Sequence, residues 1–447
     1  MSNHKHKCDH SRIIHILLNR ANVLCLVGRP ERSLDGIKRG LAVSGKSGDK
    51  QSLADCYLQL SEVYGAICRY EDLLNSAQES LKLYQEIMDS KGEAESLNNI
   101  GSVYRVLGDY DRALEYFSTS LKIRGEIGDI GGQAACYNNI GAVHSILGDY
   151  PRSLEHFIIS LNLFEKTGDK LGQANGLNNV GYGYNMLGDH SKAREHYTAS
   201  LKIKKEIGDR KGQATSLNNI GQLERNLDQY PQALEYLTDS LKIYRMIGDR
   251  EGQAVSLNNI GSVHHILGDD AQALECLTES LKIKGEIGDR QGQAASLNSI
   301  ATVYLDQGRF EEARDLLIKA ENIAGKIGAK GYMRRIYASL AELEIESGNL
   351  AVACNYAEQS LQMAGELKSK TGRAEVLLLQ GRIEKDEDKF KETLAIFREL
   401  KQPMETAKAC YYYGQALGRP EKTEEARDIF EKLGANGWLA KIDSGRL

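Results

Sequence analysis

At 447 residues an ordinary globular chain would hold roughly two to four domains, and 27% charged residues with only five prolines suit a soluble, mostly helical protein. The formal charge is −5 and basic residues are scattered, with no stripe or block, which excludes a phosphate-tracking surface and predicts no nucleic-acid partner. No apolar run approaches the roughly 20 residues that span a bilayer, so no membrane partner is expected.

Residues 1–10 are polar and aperiodic, and are read as a flexible tail. His4, His6, Cys8 and His10 stand at alternate positions, a spacing that matches no closed structural zinc site. The run Ile13-Ile14-His15-Ile16-Leu17-Leu18 is broken by a histidine and followed by Asn19-Arg20. It lacks the h-region and small-residue cleavage site of a signal peptide, so the expected location is cytoplasmic. Eight cysteines, at 8, 25, 56, 68, 136, 276, 354 and 410, form no Cys-x-x-Cys pair and read as reduced packing thiols.

From residue 11 to about 370 the chain repeats every forty residues, in units beginning near 11, 51, 91, 131, 171, 211, 251, 291 and 331. Ser96-Leu97-Asn98-Asn99-Ile100-Gly101 returns intact at Ser216–Gly221 and Ser256–Gly261, with variants at Cys136–Gly141, Gly176–Gly181 and Ser296–Ala301. A fixed period of this length belongs to stacked supersecondary units rather than to one globular core. In the unit at 91, Leu97, Ile100, Gly101 and Tyr104 share one helix face. That helix should end at Gly108, with Asp109 capping a second helix lined by Ala113, Leu114, Phe117, Leu121 and Ile123 and ended by Gly128. Pro30, Pro151, Pro231 and Pro420 fall near the first position of second helices, where a missing N–H costs nothing. Gly101, Gly141, Gly181, Gly221 and Gly261 sit mid-helix, at roughly 1 kcal/mol each relative to alanine, which implies close approach of a partner helix. The facing residues, Ala113, Ser153, Ala193, Ala233 and Ala273, are small. After residue 370 the step shortens to 33, giving a tenth unit over Thr371–Pro403 and an eleventh over Glu405–Leu433. Residues 434–447, with the only tryptophan, Trp438, read as a capping helix and tail over the exposed end of the stack.

These units resemble the tetratricopeptide repeat. Leu97, Ile100, Gly101, Tyr104, Ala113, Phe117 and Ser120 fill its signature positions, as do Leu217, Ile220, Gly221, Ala233, Leu237 and Ser240; Glu224, His144 and His264 depart from the expected tyrosine. The forty-residue form with its Gly-Asp-x-x-Gly-Gln-Ala connector is similar to the Partner-of-Inscuteable and kinesin-light-chain subclass and to bacterial repeat proteins. The resemblance implies an all-α superhelical solenoid of about eleven helix-turn-helix repeats over residues 11–433, with first helices lining a concave wall.

By helical spacing the groove face of each first helix carries Glu95, Asn98, Ser102, Arg105 and Val106 and their equivalents. Asn98, Asn138, Asn178, Asn218, Asn258 and Asn298 would form a ladder along it, joined by Tyr182, Asn185, Gln222, Arg225 and His265. A carboxamide offers a donor and an acceptor, which suits a peptide backbone, and asparagines at the matching position contact bound peptide in the kinesin-light-chain type. The alternative stays open that these asparagines bond between neighbouring helices and only set the pitch. The second asparagine of each pair, Asn99 to Asn259, is read as structural. Arg105 and Arg225 would select acidic side chains. No phosphate loop, dinucleotide fingerprint or nucleophile–base motif is present, so the chain is expected to be no enzyme and to use no cofactor or metal. The expected function is a scaffold holding a protein or peptide ligand in its concave groove; a peptide-regulated receptor controlling a separate effector is the alternative, and self-association through the solenoid ends stays open.

Overall fold

A computed structural model describes residues 13–21, 30–67, 69–147, 149–227, 229–367, 369–400 and 402–443. The histidines of the tail, with Cys8, Cys25 and Cys68, lie outside the described residues. The described residues form twenty-three helices and no strand. The first pairs are α1 (13–21) with α2 (Pro30–Ser47), α3 (Lys50–Ala66) with α4 (Tyr70–Ile87), α5 (Ser90–Val106) with α6 (Tyr110–Glu126), and α7 (Ile130–Ile146) with α8 (Tyr150–Thr167). Then come α9 (Lys170–Met186) with α10 (His190–Glu206), α11 (Arg210–Asn226) with α12 (Tyr230–Ile247), α13 (Arg250–Leu267) with α14 (Asp270–Glu286), α15 (Arg290–Asp306) with α16 (Phe310–Lys326), and α17 (Lys330–Glu346) with α18 (Leu350–Glu366). The last are α19 (Lys370–Glu384) with α20 (Glu387–Glu399), α21 (Pro403–Leu417) with α22 (Pro420–Leu433), and the short α23 (Asn436–Asp443). This is the all-α repeat solenoid that the forty-residue period predicts.

The turns between helices follow one design. A glycine in the left-handed region ends a helix, as Gly108 does at φ 80° and Gly208 at φ 74°. The aspartate after it then caps the next helix through its side chain: Asp109 accepts from the Arg112 N–H at 3.2 Å and Asp209 from the Gly212 N–H at 2.8 Å. Pro403 also opens a helix, α21, so the fifth proline obeys the same rule as the other four.

Two compact units divide the chain, Met1–Val143 with Glu155–Asp169 (unit 1) and His144–Leu154 with Lys170–Leu447 (unit 2). In both, the same buried hydroxyl ties second helix to first. In unit 1, Ser80, Ser120 and Ser160 donate to the carbonyls of Ala54, Ala94 and Ala134 at 3.1, 2.7 and 2.8 Å. In unit 2, Ser200, Ser240 and Ser280 do the same to Ala174, Ala214 and Ala254 at 2.7–2.8 Å, and Ser360 to Arg334 at 2.9 Å. Ser80, Ser120, Ser200, Ser240 and Ser280 also meet the first helix of the following repeat, for example Ser240 Oγ to Ser256 Oγ at 3.2 Å.

The position expected to hold tyrosine works in two chemical forms. Tyr104 and Tyr304 lie under the guanidinium groups of Arg112 and Arg309, at 4.2 and 4.0 Å from ring centre. Glu224, only 4% exposed, instead pairs with Arg194 at 2.8 Å, and Glu344 pairs with Arg314. The mid-helix glycines admit the partner helix at close range, through a larger residue than the small ones facing them in sequence. A Cβ on Gly221 would stand 2.7 Å from Leu237 Cγ and 3.2 Å from the Ala233 carbonyl oxygen. Gly221→Leu is therefore expected to destabilise the chain by roughly 1–3 kcal/mol. Gly125→Ala, where a Cβ meets nothing within 4 Å, should stabilise by a few tenths to about 1 kcal/mol. Urea unfolding of the two variants checks the contrast.

Candidate functional site

Hydrogen bonds between consecutive first helices fix the asparagine pairs. The second asparagine of one repeat donates Nδ2 to the carboxamide oxygen of the first asparagine one repeat earlier: Asn139 to Asn98 at 2.8 Å in unit 1, and Asn219 to Asn178 at 3.0 Å and Asn259 to Asn218 at 3.1 Å in unit 2. Asn258 accepts from Ser296 Oγ at 3.4 Å, because Ser299 stands where the next second asparagine would be. Each of these four carboxamide oxygens is thus engaged inside the fold. Their NH2 groups make no hydrogen bond among the described residues, so the end left for a ligand is a donor. Asn98, Asn138, Asn178 and Asn258 are half-buried, while Asn218 is only 5% exposed. Asn298 keeps a buried carboxamide oxygen with no partner among the described residues.

The other expected residues are placed as follows. Tyr182 is 38% exposed and Gln222 half-buried. Asn185 Oδ1 meets His190 Nδ1 at 3.1 Å. Arg105 and Arg225 make no ion pair among the described residues; burial lowers the pKa of both, against the opposing effect of nearby Tyr110 and Tyr70 at Arg105, and of Tyr230 and Glu405 at Arg225. At Arg105 no carboxylate offsets that burial, and a guanidinium so placed favours an anionic partner.

His265 is held from both sides, by Asp270 at 2.9 Å on Nδ1 and Asp306 at 3.1 Å on Nε2. Lys441 of α23 reaches the other oxygen of Asp306 at 3.1 Å. The result is an alternating chain of charge, Asp270–His265–Asp306–Lys441. Burial alone would lower the His265 pKa, but the hydrogen bonds and charges of the two aspartates outweigh it and raise it to about 9. Burial likewise opposes ionisation of Asp306, and His265 with Lys441 overcomes it, holding that carboxyl down to about 2.

This charge chain borders an interior space of about 1150 Å³ in unit 2, lined by the groove faces of α13, α15, α17 and α19 and by α21 and α23. The four groove registers seen in the earlier repeats continue into it. The Asn98 register supplies Asn298, the Ser102 register Thr302, Glu342 and Arg382, the Val106 register Asp306 and Glu346, and the Glu95 register Arg335 and Glu375. Of the residues expected from sequence, His265 and Asn298 line this space and the other ten do not. Its charges are mostly matched: Arg382 pairs with Glu342 at 3.4 Å and with Glu346, and the Tyr412 hydroxyl donates to Glu342 at 3.0 Å.

The tetratricopeptide repeat family model matches residues 69–126, 92–152, 132–206, 212–286 and 292–366, together more than half of the chain. The chain belongs to the tetratricopeptide repeat family. No match was found among curated protein sequences. Solved structures of similar fold include a Rap protein complexed with Competence and Sporulation Factor, at 13% identity and TM-score 0.54 over 80% of this chain and 99% of that one. The Rap conjugation gene regulator of plasmid pLS20 in complex with the Phr* peptide aligns at 13% identity and TM-score 0.54, over 80% and 96%. The apo form of the quorum sensor NprR from B. thuringiensis aligns at 17% identity and TM-score 0.50, over 79% and 98%. At these identities the likeness concerns the fold alone.

Within this tetratricopeptide unit the charge chain carries a pH signature. The folded-state pKa of His265, about 9, lies above its ordinary 6.5, so its contribution is complete below about pH 6.5 and lost as pH rises through 9. Asp306 acts at the other end: its contribution is present above about pH 4 and lost as pH falls toward 2. The stability difference between wild type and His265→Gln, about 1–3 kcal/mol at pH 6, should therefore shrink between pH 7 and pH 10. Urea unfolding of both proteins across that range checks it; a difference that does not change with pH would contradict the ion chain.

Proposed function

We propose that this chain is a non-enzymatic protein-interaction scaffold that holds a peptide or protein segment on the concave face formed by its first helices. The observation that carries the reading is the asparagine row, whose oxygens are spent inside the fold and whose N–H groups are left over. Donors repeated at a fixed rise suit the carbonyls of an extended peptide and need no particular side chain. Asn98 stands at that register in unit 1, and Asn178, Asn218 and Asn258 form the row in unit 2. Arg105, half-buried and without an ion pair among the described residues, favours a ligand with an acidic side chain near it, whereas Arg225 already has Glu405 in its neighbourhood. The interior beyond Asn298, with its matched charges, would take a segment that is polar yet nearly neutral.

A second reading has support of its own. A regulator switched by a peptide needs an element with two arrangements, and the contact of α23 with α13 and α15 is a candidate for one. Proteins of the same fold have been solved with Competence and Sporulation Factor and with the Phr* peptide, which agrees with a peptide ligand here.

The asparagine geometry supplies a test that separates binding from folding. Asn178→Asp with Asn258→Asp keeps an oxygen for the inter-repeat bond and removes the two outward donors. Peptides selected from a displayed library against the wild-type chain should bind the double variant roughly five- to hundredfold more weakly, from two lost hydrogen bonds of about 0.5–1.5 kcal/mol each. Fluorescence anisotropy reads the affinities and circular dichroism the fold. Equal affinity of a folded double variant for every selected peptide would reject the asparagine row as the binding surface.

A further inference from the structure

The C-terminal helix does more than a cap requires. The exposed end of the last pair is covered once Trp438 stacks on Phe430, with ring centroids 5.3 Å apart and planes 15° from parallel. Yet α23 also reaches α13 and α15. Gly437 lies against Gly268, so close that a Cβ on it would stand 3.3 Å from both the Gly268 Cα and the Ile266 carbonyl oxygen. Four residues on, Lys441 bonds Asp306 across 135 residues of sequence. One face of one helical turn thus presents a small residue and a cation to two helices far from it along the chain.

That attachment is built to be strong in direction and weak in total. α23 is eight residues long and has no fully buried side chain. A helix of that length is marginal by itself and depends on what it docks against. Its cation meets Asp306, a carboxylate already shared with His265, so departure of Lys441 leaves Asp306 with a partner and does not strand a buried charge. The Gly437–Gly268 approach adds contact area without a side chain to interlock.

We propose that α23 is a reversible ligand of unit 2's own interior, held on α13 and α15 by its Gly437-x-x-x-Lys441 face and displaced by a partner helix of the same chemistry, a small residue followed four residues later by a lysine or arginine. The proposal rests on the reading of this interior as a binding surface. It adds the resident occupant and the class of segment that competes with it.

The test uses the full chain carrying a specific protease site at Gly434, folded and then cut. Trp438 is the only tryptophan, so its polarisation reports without any label whether segment 435–447 stays or leaves. The wild-type segment is expected to rebind saturably; segments with Lys441→Glu or with Gly437→Leu should rebind at least tenfold more weakly, with the helicity of the remaining chain unchanged. Hydrogen exchange on the uncut chain is the companion measurement. The amides of α23 should exchange at least tenfold faster than those of α22, and Lys441→Glu should widen that gap by a further tenfold. A segment that never rebinds, variant segments that rebind like wild type, or exchange of α23 in step with α22 would each overturn the proposal. Failure of the asparagine row as a peptide site leaves Trp438 polarisation untouched, so the two ideas fall separately.

Discussion

One buried hydroxyl recurs through most of the repeats and ties their two helices together. In five repeats the serine in the middle of the second helix donates to an alanine carbonyl of the first helix and meets a serine or cysteine of the next repeat, as Ser120 does with Ala94 and Cys136. A carbonyl already bonded inside its own helix can accept this second donor only if the two helices pass closely, which is what the mid-helix glycines allow. Loss of the hydroxyl removes one buried hydrogen bond, roughly 0.5–1.5 kcal/mol at each site. Repetition of that constraint keeps the hairpin the same from repeat to repeat, so a given register of the first helix recurs on the same face.

The candidate site follows from that regularity. Once the first helices present equal faces, the chemistry of the groove is decided by what stands at a few registers. In unit 2 the inner register holds Asn178, Asn218 and Asn258, whose oxygens are consumed by the neighbouring repeat and whose N–H groups bond to nothing among the described residues, and then Asn298, whose oxygen has no partner there. Beyond it the neighbouring registers turn charged, with Asp306, Glu342, Glu346 and Arg382 in place of Val106, Ser102 and their equivalents. Under the proposed function, such a surface in unit 2 would grip backbone at its amide end and discriminate side chains at its charged end.

The fold was almost wholly legible in the sequence, because a forty-residue period with glycine and aspartate at each turn admits few structures. Helical spacing also puts the registers of Asn98, Ser102 and Val106 on one helix face, and the structure brings their counterparts Asn298, Thr302 and Asp306 together around one space. The sequence did not show that the second asparagine feeds the first across repeats, since donor and acceptor lie forty-one residues apart and either could face outward. Asp306, Glu342 and Arg382 could have been found by carrying the same registers past residue 298, where the asparagine motif stops drawing attention. Lys441 and Tyr412 carried no such signal. Lys441 enters the site because α23 returns to α13 and α15, and Tyr412 because α21 packs against α17 and α19. Glu224 and Glu344, departures from the tyrosine pattern, proved to be ion-pairing solutions for the same packing position.

The central claim is that an incoming segment and the chain's own last helix share the interior of unit 2. Its most direct measurement is fluorine NMR of the full chain with 5-fluorotryptophan, which labels Trp438 and nothing else. Titration with a peptide selected for binding to the chain should move that single resonance from its position in the packed aromatic cluster toward that of a solvent-exposed tryptophan, saturating with the peptide's own binding curve. A peptide that saturates the chain while the Trp438 resonance stays where it began would contradict the account.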